Sequence, residues 1–142
     1  MNDYEYITVV SGLPRSGTSM MMKMLHQGGI PVLTDGQRTA DEDNPKGYYE
    51  LEKVKKLSED ASWLNEAVGK AVKMVSRYLF DLPDTYTYKV VFMQRELPEI
   101  LASQKAMIER SGKTVDEEEQ NRIHEYYKKH LADVVNLMQK QN

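Results

Sequence analysis

The ten residues SGLPRSGTSM, Ser11 to Met20, hold Gly12 and Gly17 with four residues between them. That is the spacing of a glycine-rich loop whose backbone N–H groups cradle a phosphate where a helix begins. A loop built for a nucleoside triphosphate continues with a lysine that reaches the β- and γ-phosphates. Here the corresponding run is Gly17, Thr18 and Ser19, without the lysine. The fixed charge inside the loop is Arg15. Such a loop suits an anion less highly charged than a terminal phosphoryl group. A sulfuryl group is one, and it demands no metal. Backbone N–H groups, the helix dipole and one arginine could suffice for it.

Two further arginines are expected at the same edge. Ligands of open parallel sheets bind at the carboxyl ends of the strands, and candidate strands end at Arg77 and at Arg95. Arg77 reads equally as a solvated strand-end charge. Arg95, just before a helix N-terminus, reads as an anion-binding group. A site that transfers a phosphoryl group needs Mg²⁺, commonly held by an aspartate at a strand end. Neither KMVSR nor VVFMQR ends in an acid. Both charge-neutralising devices of a triphosphate site are therefore missing from the expected positions.

The elements that must position these groups alternate. YEYITVVSG (4–12) reads as a buried parallel strand that stops at glycine, and residues 18–29 as a helix closed by Gly28 and Gly29. The methionines of that helix read as packing between sheet and helix. Residues 30–33 suggest a short strand, 34–49 a long surface loop, and 51–68 one or two short helices. Strands follow over 70–77 and 88–95, with a short helix or turn between them that Pro83 ends. Residues 97–112 read as a helix with Pro98 and Glu99 in its first turn, and 115–141 as a long amphipathic helix. The stripe of that last helix is Ile123, Tyr127, Leu131, Val134, Leu137 and Met138. The pattern predicts one α/β domain over 1–142, a three-layer sandwich around a mostly parallel sheet of about four strands.

Composition narrows the chemistry. A net charge of −3, from 19 basic and 22 acidic residues, argues against bulk nucleic-acid binding. With no cysteine, thiolate catalysis, thiolate metal sites and disulfides are excluded. His26, His124 and His130 form no metal-ligand cluster in sequence. The apolar runs fall well short of a membrane span, and MNDYEY is unlike a signal peptide. A soluble protein of a reducing, cytoplasmic compartment is expected.

On these residues the sequence resembles the sulfotransferases that use 3′-phosphoadenosine 5′-phosphosulfate. LPRSGTS is similar to their 5′-phosphosulfate loop. RELPEILAS supplies their second motif, an arginine followed eight positions later by a serine, as Arg95 and Ser103. NPKGYYE and KMVSRYLFDLP are similar to stretches of bacterial members, so the resemblance runs through roughly residues 4 to 140. It implies a fold of the P-loop nucleotide-binding type. It implies transfer of the sulfuryl group to a hydroxyl or amine of a small-molecule or carbohydrate acceptor, with no metal.

By the same resemblance, Ser16, Gly17, Thr18 and Ser19 hold the 5′-phosphate. Arg15 meets the bridging oxygen or the sulfonate, and Arg95 with Ser103 binds the 3′-phosphate. Glu50 is similar to the glutamate base of carbohydrate-type and bacterial members, and reads equally as a helix N-terminal glutamate. Tyr48 and Tyr49 could line the acceptor site or belong to the core. His26, His124 and His130 read as structural or solvated. Met20 to Met22 stand where the family often has an aromatic residue, and the chain ends at Asn142 where larger members add another strand. A nucleotide-binding module without catalysis, and a small-molecule kinase with an unusual loop, are the competing expectations.

Overall fold

The β-branched run Ile7, Thr8, Val9, Val10 favours a pleated backbone. Ile7–Gly12 is strand β1 of a computed structural model that describes residues 5–34, 49 and 51–140. Two more strands, Ala71–Val75 (β2) and Tyr88–Phe92 (β3), flank it in the order β2-β1-β3, both parallel to it. Val9 is the register partner of Val72 on one side and Val90 on the other. The chain is thus an α/β protein with a three-stranded, all-parallel sheet.

The fourth expected strand is reduced to one parallel bridge, Val32 to Ala71. Pro31 has no N–H to give a ladder, and its carbonyl accepts from the Ala71 N–H at 2.8 Å while the Leu33 N–H donates to the Ala71 carbonyl at 2.9 Å. The strand expected over 70–77 also stops early. Ser76–Asp81 is a 3₁₀ helix, so Arg77 is not a strand-end residue.

The loop after β1 leads into α1, Thr18–Gln27. Met22 and Val10 are fully buried against each other with Ala71, and Tyr49 packs on that cluster. Ile7 and Val9, on the other face of β1, are also fully buried, as a central parallel strand requires. Not all the helix methionines are core. Met20 is 52% and Met24 57% exposed, a correction to the packing expected for the whole set. Residues 51–68 form two 3₁₀ helices, Glu52–Lys56 and Ser62–Ala67. Between them the Asp60 carboxylate accepts from both the N–H and the hydroxyl of Ser62, which favours a turn over a continuous helix.

Leu97–Arg110 (α2) begins with proline in its first turn and gives way to Gly112 at φ 91°. Glu117–Lys140 (α3) starts where the Asp116 carboxylate accepts from the Glu119 N–H at 2.8 Å. Val134 is its buried residue, at the centre of the expected stripe. The Tyr127 hydroxyl donates to Gln104 Oε1 at 3.2 Å, tying α3 to α2. The chain forms two compact units, Met1–Gln94 and Arg95–Asn142. No helix among the described residues is long and apolar enough to cross a membrane.

Candidate functional site

β1 lies between β2 and β3; its connection runs through α1 to β2, and the connection from β2 passes β1 to reach β3. Open parallel sheets bind ligands at the carboxyl ends of such strands. Gly12 ends β1 there, level with Val75 of β2, and the Met93 N–H donates to the Ser11 carbonyl at 2.8 Å just beyond β3. The loop starting at Gly12 is tight. A Cβ at this glycine would lie 2.5 Å from Ser16 Oγ and 3.0 Å from the Met93 carbonyl. Leu13 to Ser16 close a turn through Ser16 N–H to the Leu13 carbonyl, 3.2 Å, with Pro14 leading it.

Arg15 follows Pro14 with φ 68°, the one non-glycine positive φ among the described residues. An L-residue there costs about 1–2 kcal/mol, and such strain gathers at functional sites. Gly17, at φ 102°, is the N-cap of α1, and no side chain caps the helix. The first N–H groups of a helix have no partner within it, and they carry the positive end of its dipole. Within the same loop Ser16 Oγ is buried and lacks a hydrogen-bond partner, as does Ser11 Oγ at the end of β1. The loop therefore presents an arginine, two hydroxyl residues (Thr18 and Ser19) and an uncapped helix end together.

Sequence reasoning missed Lys73. It stands on β2 as the register partner of Val10, the residue that packs on α1, and its ammonium donates to Ser19 Oγ at 3.1 Å. The signal was present. A lysine two positions after the buried Ala71, on the same face of an apolar strand, is out of place unless a polar group meets it.

The other expected residues are distributed as follows. Arg95 precedes α2, beyond β3, and its Nε lies 3.4 Å from Glu99 Oε2. Ser103 sits one helical turn past Glu99 in α2, and Arg95 lies just before the helix. Arg77 does not add a third strand-end guanidinium. It donates from Nη2 to the Tyr78 hydroxyl at 2.6 Å and lies over that ring at 4.7 Å. Glu50 lies outside the described residues, as does Tyr48. Tyr49 is partly buried against the Val10–Met22 cluster and meets the His26 ring edge-on at 6.1 Å.

His124 Nδ1 lies 3.8 Å from Glu125, and His130 stacks on Tyr126 at 6.0 Å, both on α3. Burial holds the His130 imidazole below its usual range, with Asp133 opposing the shift. Among the described residues no three histidine or acidic side chains gather as a metal site. No protein-family model matches this chain, and no curated protein or solved structure matches it.

Proposed function

We propose that this chain is a sulfotransferase of the P-loop nucleotide-binding type, taking 3′-phosphoadenosine 5′-phosphosulfate as donor. The observation that carries the reading is the loop at the carboxyl end of the sheet's central strand. It joins a central parallel strand to an uncapped helix N-terminus, with a left-handed Arg15 inside it and no lysine at Thr18. Such a loop binds the 5′-phosphate through the N–H groups and hydroxyls of Ser16, Gly17, Thr18 and Ser19. Arg95 and Ser103 take the 3′-phosphate, and a guanidinium suits its paired oxygens.

In the transfer, the acceptor oxygen or nitrogen attacks sulfur while the bond from sulfur to the bridging oxygen breaks in line. The acceptor's proton passes to the Glu50 carboxylate, and 3′-phosphoadenosine 5′-phosphate leaves. Arg15 stabilises the charge growing on the bridging oxygen, a contribution present chiefly in the transition state. A radiolabelled donor incubated with a panel of hydroxyl and amine acceptors tests the reading. Label transferred to one acceptor class supports it. Tight donor binding with no transfer across the panel favours the nucleotide-binding module, and ATP-dependent phosphorylation of an acceptor favours the kinase.

A further inference from the structure

In a triphosphate loop the Ser or Thr after the lysine binds Mg²⁺, and a neighbouring strand supplies an aspartate to the same ion. Ser19 occupies that hydroxyl position in SGLPRSGTS. The strand beside β1 supplies Lys73, whose ammonium lies 3.1 Å from Ser19 Oγ. We propose that the Lys73 ammonium takes the place of the metal ion at this loop, supplying the charge that lets it bind a nucleotide's 5′-phosphate without a divalent cation.

The charge arithmetic is the same for both arrangements. A divalent cation beside one carboxylate leaves one unit of positive charge at the loop hydroxyl, and so does a single ammonium. The two are mutually exclusive, since a cation fixed at Ser19 Oγ repels a second one at the same oxygen. The bond also orders the hydroxyl. With Lys73 donating to its oxygen, Ser19 keeps its own hydrogen to give, and a hydroxyl bonded to a cation is a stronger donor. A second feature marks the loop as a ligand site: Ser16 Oγ, only 5% of the residue exposed, has no hydrogen-bond partner. The lysine missing after Gly17 is replaced from the side, by a strand rather than by the loop.

The inference rests on the nucleotide reading above, so the test separates the two. 3′-Phosphoadenosine 5′-phosphate is titrated calorimetrically into the full chain, once with EDTA and once with millimolar Mg²⁺. The parent chain should bind equally in both buffers. Lys73→Met should bind about tenfold or more weakly with EDTA, and Lys73→Arg should retain most of the affinity. Tightening of the parent by Mg²⁺, or parent-like binding by Lys73→Met, overturns the proposal. If Lys73→Met does not fold, Ser19→Ala carries the comparison: weaker binding that Mg²⁺ does not restore supports the role of the pair, and unchanged binding overturns it. A parent chain that ignores the nucleotide contradicts the donor reading instead. Inorganic pyrophosphate with EDTA then reads Lys73 directly: a loss in Lys73→Met supports the charge role, and no binding by the parent overturns it.

Discussion

At the scale of single residues, Arg15 is where the chain gives up stability for placement. Its φ of 68° follows Pro14, which presets the turn, and glycine would sit there at no steric cost. Arg15→Gly should therefore leave stability unchanged or raise it by up to about 1 kcal/mol in urea unfolding, because relief of about 1–2 kcal/mol of left-handed strain is partly offset by glycine's flexibility. Donor binding should fall in the same variant. A clear loss of stability would mean that the guanidinium holds the fold and not a ligand. Glu50 makes the complementary case. If Glu50 is the base, Glu50→Gln keeps size and hydrogen bonding but cannot take a proton, so turnover should drop about 10²–10⁴-fold while donor affinity holds. Parallel loss of both would assign Glu50 to binding.

At the scale of elements, the pairings along helices decide which charges are available. The Arg95 guanidinium is shared with Glu99, one turn before Ser103 on α2, and both side chains are solvent-accessible. Such a pair is weak in water, but on the proposed donor reading it competes with the 3′-phosphate for the same guanidinium. Glu99→Gln should raise affinity for 3′-phosphoadenosine 5′-phosphate several-fold with little change in stability, and weaker binding would show that the carboxylate orients Arg95 for its ligand. On α3, burial depresses the His130 pKa below the 6.5 of the unfolded chain. Below 6.5 the unfolded chain binds the proton more readily, so His130 should make the fold less stable as pH falls through 6.5 toward its depressed folded value, and the effect should be absent above it. Thermal melts of the parent and His130→Gln across that window check the sign: the parent should lose more than the variant.

The same elements show what was legible in the sequence. The β1 strand followed from a continuous β-branched run buried on both faces, and the turn into α1 and the stripe of α3 from glycine placement and helical periodicity. The end of β2 did not. The short helix or turn expected after residue 77 is present, but it begins at Ser76, two residues early, which takes Arg77 away from the strand end. Lys73 was overlooked because its meaning depends on register: nothing local in AVKMV says that Val10, and through it α1, lies opposite.

For the whole molecule, the described residues form three parallel strands with β1 in the middle, and the glycine-rich loop leaves the carboxyl end of that central strand. Sequence alternation was enough to predict an α/β chain with a parallel sheet, though of about four strands; it could not show that residues 30–33 give a single bridge, since Pro31 withholds one donor from a segment otherwise apolar enough for a strand. The strand–loop–helix geometry of residues 12–19 was legible, because glycine spacing and helix entry state a backbone geometry. The identity of the anion depends on charges contributed by distant residues. The most direct measurement is therefore calorimetry of 3′-phosphoadenosine 5′-phosphate against adenosine 5′-phosphate, which differ by the group assigned to Arg95 and Ser103. The 3′-phosphorylated ligand should bind more tightly, and Arg95→Ala should cost about 2–4 kcal/mol and erase the difference. Equal affinity of the parent chain for the two nucleotides would contradict the sulfotransferase reading.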